Sequence, residues 1–207
     1  MSAERAVLFD VDGTLIDALE NQRSVWRAWA KHHGLDPAEV YQVALRTRPQ
    51  DTFATLAPQA DPARCLALLH TLEDEDARTG VYNAFDGAAD LLTALPQGHW
   101  ALVTSNYAHR VRIRFERTGL PLPEVLVDAA AVSHGKPHPA PYLLAARHPG
   151  VEAADCLVVE DTSSGVTAGV AAGMRVWTVN TAAPLPGAHR HYPSLRAAAD
   201  DITSYLA

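Results

Sequence analysis

The chain has 207 residues, of which 48% are apolar and 20% charged, a composition that supports a buried core and argues against disorder and coiled coil. Its 17 Lys and Arg residues are outnumbered by 24 Asp and Glu residues, and the net charge of −7 disfavours a nucleic-acid partner held by phosphate contacts. The first apolar run, residues 6–9, is too short for a signal peptide, and no run approaches the ~18 apolar residues of a membrane span. We therefore expect a cytoplasmic protein of one or two domains with no membrane partner.

The first predicted element is a strand over residues 6–9, whose continuous apolar sequence is typical of a parallel strand buried on both faces. It leads directly into Asp10-Val11-Asp12-Gly13. Ligands of open α/β sheets bind beyond the carboxyl ends of the strands, so Asp10 and Asp12 are candidate site residues, and Gly13 gives the chain a means of turning. The alternative is an ordinary strand exit in which Asp12-Gly13 only builds a turn.

Residues 18–83 contain no convincing buried strand and are predicted to be helical, with the clearest helices over 18–33 and 61–78. Asp61 before Pro62 fits an N-cap followed by proline at the first helical position. Trp26 and Trp29 lie three residues apart, a spacing that favours a place in the core of these helices. We therefore divide the chain into an α/β core, residues 1–17 and 84–207, and an inserted α-helical cap domain, residues 18–83.

The rest of the chain alternates between strands and helices. Further strands are predicted at residues 100–103, 156–159 and 175–179 and, with a weaker pattern, at 125–128. Helix-like segments lie at residues 85–92, 141–147 and 164–173. This alternation predicts the α/β class, with a doubly wound, Rossmann-like parallel sheet.

Polar side chains follow the second strand of this core. Thr104, Ser105 and Asn106 could hydrogen-bond phosphate oxygens, together with backbone N–H groups at the start of the next helix, and an ordinary helix cap is the alternative. That helix carries arginines at four positions, which we interpret as a solvated surface because the four do not form a single helix face. These are Arg110, Arg112, Arg114 and Arg117.

Two residue types are scarce enough to be informative. Fifteen of the basic residues are arginines, so Lys31 and Lys136 are the only lysines, and Lys136 lies in a rigid, proline-rich loop. Its ammonium could hold a phosphate or balance buried carboxylates, whereas a solvated loop lysine is the alternative. The two cysteines, Cys65 and Cys156, are far apart and lack metal-site spacing, so we expect two separate buried thiols, with one disulfide as the alternative.

Glu160 and Asp161 form a second acidic pair, directly after the apolar run 156–159. Acids at a buried strand end are costly unless something pairs with them. If the strands are neighbours, these acids converge with Asp10 and Asp12, and a hard divalent cation would relieve the repulsion. Mg²⁺ prefers oxygen ligands, so it is the ion that we expect.

These motifs together resemble those of the haloacid dehalogenase superfamily of phosphohydrolases. Residues 10–17 resemble its first motif, Thr104 its second, Lys136 its third and Glu160-Asp161 its fourth, in the same order across essentially the whole chain. The helical insertion lies where subfamily I members carry a helical cap. Residues 100–105 and 135–142 further resemble the sugar-phosphate and glycerol-phosphate phosphatases of that superfamily.

The resemblance implies a role for each matching residue. Asp10 would be the nucleophile that forms an aspartyl-phosphate, and Asp12 the general acid/base. Thr104 and Lys136 would hold the phosphoryl group, and Ser105 and Asn106 join them as phosphate-binding candidates. The implied Mg²⁺ ligands are Asp10, Asp12 (through its backbone carbonyl), Glu160 and Asp161.

The resemblance implies an Mg²⁺-dependent phosphatase acting on a small phosphorylated metabolite, such as a sugar or polyol phosphate, with no nucleic-acid or membrane partner. A beta-phosphoglucomutase-like isomerase is the first alternative, since it shares all four motifs. A haloacid dehalogenase is a second, but those relatives lack the acid at Asp12, and a non-catalytic binding protein is a third. A monomer suffices for the chemistry, so we expect a monomer or a weak homodimer.

The cap segment 46–52 only loosely resembles the superfamily's substrate-specificity loop. We hypothesise that Arg48, or otherwise Arg46, reaches the substrate from the cap, and an ordinary surface arginine is the alternative. The cap itself would close over the substrate and exclude bulk water.

Overall fold

A computed structural model describes residues 4–45, 47–148 and 150–206. The chain divides into two compact units, one made of Met1–Asp17 with Tyr82–Ala207 and the other of Ala18–Val81. The second boundary thus lies two residues before the one placed from the sequence.

The first unit contains all the strands of the described chain and five of its helices. The strands are β1 (Ala6–Phe9), β2 (Ile16–Asp17), β3 (Asn83–Ala84), β4 (Trp100–Val103), β5 (Val125–Val127), β6 (Cys156–Glu160), β7 (Arg175–Thr178) and β8 (Arg190–His191). The α-helices of the described residues are α1 (Leu19–His32), α2 (Pro37–Ala44), α3 (Pro49–Leu56), α4 (Pro62–Thr79), α5 (Ala88–Ala94), α6 (Ala108–Thr118), α7 (Ala140–Arg147), α8 (Ser163–Ala171) and α9 (Leu195–Leu206).

Six of these strands form one parallel sheet in the order β5-β4-β1-β6-β7-β8. The α/β class and the parallel sheet predicted from the sequence are confirmed. Every residue of β1, β4 and β6 is buried, as continuous apolar strands require. Because β1 lies between β4 and β6, the residues that follow these three strands emerge side by side at one edge of the sheet.

Small residues let the flanking helices pack closely on this sheet. A side chain added at Gly169 of α8 would meet the methyl groups of Val158 and Val176. On the same side of the sheet, Leu8 and Val158 share a core cluster with Tyr142 of α7. Helices α7 and α8 therefore pack directly against the strands of the large sheet.

A separate two-stranded antiparallel sheet lies beside the large one. It pairs Ile16 of β2 with Ala84 of β3, and Asp17 with Asn83. The chain therefore leaves and re-enters the α/β unit through paired residues. The short strands β2, β3 and β8 and the helix α9 were not predicted from the sequence.

The helical unit consists of α1 to α4 and has its own core. Asp61 accepts a hydrogen bond from the Ala63 N–H at 2.9 Å, which confirms the predicted cap of α4. Trp29 is fully buried and stacks on Phe53 with ring centres 5.1 Å apart, while Trp26 packs against the same cluster. The two tryptophans thus belong to the core of this unit, as predicted.

Both cysteines, Cys65 and Cys156, are buried free thiols, so the disulfide alternative is wrong. Among the described helices, none combines the length and the apolarity that crossing a lipid bilayer requires.

Candidate active site

The turn after β1 brings two parts of the site together. The Asp10 N–H donates to the Val159 carbonyl of β6 at 3.0 Å, so the sheet register continues as far as Asp10. Gly13 then has a φ of +95°, a conformation that favours glycine. A Cβ atom at Gly13 would also overlap the carboxylate of Asp161. Gly13 is therefore required both by the turn and by the close approach of the second acidic pair.

Lys136 lies between the two acidic motifs. Its Nζ is 2.6 Å from Asp10 Oδ1, 2.6 Å from Glu160 Oε1 and 3.0 Å from the Val103 carbonyl oxygen. Only 4% of the Lys136 side chain is exposed. The structure therefore joins β1, β4 and β6 through one buried ammonium, and the solvated-loop alternative for Lys136 is wrong. Lys31, by contrast, is exposed on α1.

The Glu160 carboxylate is saturated with donors. Besides Lys136, its Oε1 accepts a hydrogen bond from the Tyr142 hydroxyl at 2.9 Å. Its Oε2 accepts from the N–H groups of Asp161 and Thr162 and from the Thr162 hydroxyl, at 2.8 to 3.0 Å. A Cβ atom at Gly165 would overlap this carboxylate, so the start of α8 must be glycine there. Glu160 is thus fixed by helix, strand and loop at once.

The acidic residues differ in how well their charges are compensated. Burial raises the pKa of Asp10 well above its usual range, although Lys136 opposes the shift. Burial and the neighbouring Glu160 charge raise the pKa of Asp161 to about 7. Burial acts on Glu160 too, but Lys136 and the Thr162 donors outweigh it and lower its pKa. Asp10 and Asp161 are therefore the carboxylates whose ionised form, and hence whose negative charge, the folded protein stabilises least.

This charge fits a hard divalent cation. Asp10, Glu160 and Asp161 each offer a carboxylate oxygen, and these oxygens all lie within 4.8 Å of one another. Carboxylate oxygens are the ligands that Mg²⁺ prefers. Asp12, the fourth predicted ligand, does not join this set through its side chain, which turns toward α6.

The Asp12 carboxylate is instead paired with Arg114. One guanidinium nitrogen, Nη1, lies 2.8 Å and 3.0 Å from the two carboxylate oxygens, and the Asn106 amide donates to Oδ2 at 3.2 Å. Arg114 and Arg110 are 5% and 2% exposed, so the solvated-surface interpretation of the arginine run is wrong for both. The two lie four residues apart, on one helix face that packs inward. Arg112 and Arg117 are exposed, as predicted.

The three polar residues after β4 have different surroundings. The Thr104 hydroxyl is buried and accepts the Asn106 N–H at 3.0 Å, and Asn106 Oδ1 accepts the Tyr107 N–H at 2.9 Å. Ser105 is exposed. The carboxylate of Asp128, after β5, accepts the Ala108 N–H at 2.9 Å. Asp128 thus contributes to capping α6.

Arg48 and Arg46 are the two cap residues predicted to reach the substrate. Arg48 forms an ion pair with Asp51 in the first turn of α3, at 2.9 Å, and its side chain is 81% exposed. Arg46 lies outside the described residues. The role of either residue in substrate selection stays a prediction.

The contacts of four further residues with the site were missed from the sequence. Asn180 donates from its amide to the carbonyl oxygens of Gly13 and Thr14 at 2.9 and 3.0 Å and so holds the turn after β1. The buried Thr14 hydroxyl donates to Asp161 at 3.3 Å. Tyr142 and Arg114 complete the group. A polar residue two positions after β7, and paired arginines four apart on a site helix, are the signals that could have pointed to Asn180 and Arg114.

Comparisons with known proteins show the family to which the chain belongs. Residues 4–173 match the family model of haloacid dehalogenase-like hydrolases. The chain is 38% identical over 185 residues to hexitol phosphatase A of Escherichia coli, covering 88% of this chain and 86% of that protein. It is 33% identical over 189 residues to glycerol-1-phosphate phosphohydrolase 2 of Saccharomyces cerevisiae, covering 85% and 74%. The fold is similar to that of CbbY from Rhodobacter sphaeroides, solved with phosphate, at a TM-score of 0.79 and 23% identity over 94% of this chain and 96% of that one.

Proposed function

We propose that this chain, which belongs to the family of haloacid dehalogenase-like hydrolases, is an Mg²⁺-dependent phosphatase that acts through an aspartyl-phosphate. The coarser conclusion, that it is a phosphoric monoester hydrolase, follows from the family and from phosphatase relatives that match most of its length. The observation that carries the finer proposal is the buried contact of Lys136 with both Asp10 and Glu160. It places a carboxylate and a fixed positive charge together at the edge of the sheet where ligands bind.

The proposed reaction has two steps. An Asp10 carboxylate oxygen attacks phosphorus, the bond from phosphorus to the ester oxygen breaks, and Asp12 supplies a proton to the departing alcohol. Water then attacks the aspartyl-phosphate and passes a proton to Asp12, which releases inorganic phosphate and restores Asp10. Lys136 offsets charge on the phosphoryl oxygens, which is the main requirement of phosphoryl transfer.

Asp10, Asp161, Glu160 and the Asp12 backbone carbonyl are the proposed Mg²⁺ ligands. When bound, Mg²⁺ would neutralise charge on the phosphoryl group. The carboxylates differ in how many hydrogen bonds they already accept. Among the contacts described, Glu160 accepts five, whereas Asp161 accepts one, from Thr14. We therefore expect Asp10 and Asp161 to be the principal carboxylate ligands, and Glu160 chiefly to fix Lys136.

The proposed substrate is a sugar or polyol phosphate. Two relatives of this chain are named for hexitol and glycerol-1-phosphate substrates. We propose that Thr104, Ser105 and Asn106 help to bind the phosphoryl group, and that the enzyme acts in the cytoplasm as a monomer or weak homodimer. Two buried free thiols support a reducing compartment.

The test is phosphate release from a panel of phosphorylated sugars, polyols, glycolate and nucleotides, with and without Mg²⁺. Asp10→Asn should remain folded and lose turnover by at least about 10³-fold, because it removes the nucleophile. Wild-type enzyme quenched in acid should carry labelled phosphate that hydroxylamine removes, and Asp10→Asn should carry none. The matched control is Asp200→Asn, an exposed aspartate of α9, which should behave like wild type.

Retained activity in Asp10→Asn would overturn the nucleophile assignment. Isomerisation of a sugar phosphate that depends on a bisphosphate activator, without release of free phosphate, would favour the isomerase alternative. A wild-type protein that turns over no member of the panel would overturn the substrate proposal.

A further inference from the structure

Arg114 forms a buried ion pair with Asp12, and the reaction described above gives Arg114 no role. Arg114 lies in the middle of α6, the helix that follows β4. Long side chains on a helix point back toward its N-terminus, so the guanidinium reaches from α6 to the edge of the sheet where Asp12 lies. The Arg114 and Asp12 side chains are only 6% and 15% exposed.

Arg114 is itself held from a second side. Its guanidinium carbon lies 4.8 Å from the ring centre of Tyr82, which is 8% exposed. The guanidinium thus lies over an aromatic face, as in a cation–π contact, while Nη1 contacts both Asp12 oxygens. Asn106 reaches the same carboxylate from the strand side. The Asp12 side chain therefore has a fixed orientation before substrate binds.

Stability alone is a weak reason for such a pair. Buried ion pairs often contribute little net stability, because removing two charges from water offsets their attraction. Val111 and Phe115 of the same helix fill their buried positions with apolar side chains, which do not carry the cost of removing a charge from water. The pairing partner of Arg114 is a residue whose exact placement the reaction requires.

We propose that Arg114 is a positioning residue for Asp12, holding its carboxylate where it can exchange a proton with the ester oxygen and with the attacking water. This inference rests on the proposed function of Asp12. Tyr82 and Asn106 act with Arg114 by fixing the guanidinium and the second carboxylate oxygen. Misplacing a reacting group by about 1 Å costs about 10²-fold in rate, so the loss of Arg114 should be visible in the steps that use Asp12.

The experiment compares Arg114→Met with Asp12→Asn on two kinds of substrate. An alkyl phosphate needs its leaving oxygen protonated, whereas p-nitrophenyl phosphate has a leaving group that does not. Both variants should lose about 10²-fold or more in kcat/KM for the alkyl phosphate and less than about tenfold for p-nitrophenyl phosphate. With p-nitrophenyl phosphate both should also accumulate phosphoenzyme, because its formation is little affected whereas the activation of water is slowed.

A double variant tests whether Arg114 affects the rate through Asp12 or independently of it. If Arg114 works through Asp12, adding Arg114→Met to Asp12→Asn should cost less than about threefold more. Arg112→Met, an exposed arginine of the same helix, is the control and should match wild type for both substrates. Circular dichroism and thermal unfolding of each variant monitor the fold. If Arg114→Met does not fold, Arg114→Lys serves instead, and it should show the same pattern at smaller size because it keeps the charge but not the planar guanidinium.

Equal losses for both substrates, or losses that multiply in the double variant, would overturn the role of Arg114. The proposed function fails in a different way: either wild type releases no phosphate, or Asp12→Asn itself shows no dependence on the leaving group. The two failures are therefore distinguishable within one set of measurements.

Discussion

Lys136 places one ammonium against three oxygen atoms in a space closed to solvent. A guanidinium is planar, larger and delocalised, so it cannot make the same three contacts from the same buried position. Lys136→Arg should therefore lower kcat for phosphate release by at least about 10²-fold, with the positive charge retained. Steady-state kinetics on the best substrate of the panel measures this loss.

The control for this change is Lys31→Arg, since Lys31 is exposed on α1. It should leave kcat and KM unchanged. Wild-type kcat in Lys136→Arg would mean that any positive charge suffices, and would remove the reason for a lysine at this position.

The residues of the site differ in how well sequence could predict them. Lys136 and the strand-end acids stand out because they are chemically unusual where they occur, one a rare lysine and the others charges after buried strands. Arg114 gives only a weak signal, its spacing of four residues from Arg110, since an arginine on a helix is ordinary until the helix face is known. Tyr142 lies within an apolar helix pattern, and only the fold shows that its hydroxyl meets Glu160.

At the scale of elements, the N-cap of α4 makes a measurable contribution. Asp61→Ala removes the acceptor of the Ala63 N–H and should lower the free energy of unfolding by about 1 kcal/mol. Asp61→Asn should keep most of that stability, because asparagine is a comparable N-cap. Urea unfolding followed by circular dichroism distinguishes the two. If both variants lost the same stability, the side-chain cap would not be the cause.

Most of the long elements were predictable, apart from the 12-residue helix α9, and the two-residue strands were not. The strands β1, β4 and β6 have continuous apolar sequences, and α4 begins at an Asp-Pro pair, so composition and capping chemistry both define them. The pairs of residues in β2, β3 and β8 are too short for any periodicity. Their strand conformation depends on partners distant in sequence, which only the folded chain provides.

At the scale of the whole molecule, the raised pKa of Asp161 links metal binding to stability. Burial and the Glu160 charge raise that pKa from its ordinary value of 3.8 to about 7. The folded protein therefore loses stability as the pH rises from the ordinary value to about 7, and this loss is complete above about pH 7. The proposed Mg²⁺ would bind the ionised carboxylate and so compete with the proton. It should therefore raise Tm more at about pH 8 than at about pH 6.

Thermal unfolding with and without Mg²⁺ at the two pH values measures this difference. Asp161→Asn is the matched variant: it should lose most of the Mg²⁺ stabilisation at the higher pH and be less dependent on pH without the metal. An equal Mg²⁺ effect at both pH values in the wild type would contradict the prediction.

The pairing of β2 with β3 has a consequence for replacing the helical insertion. Because Asp17 faces Asn83 across an antiparallel ladder, the helical insertion is a detour that begins and ends at adjacent points. A tight turn of two residues could join these positions as an ordinary hairpin, and the sheet would keep its strand order. Asp17 and Asn83 thus mark a single insertion point. At such a point the helical segment could be replaced by insertions of different length and architecture while the parallel sheet stays the same.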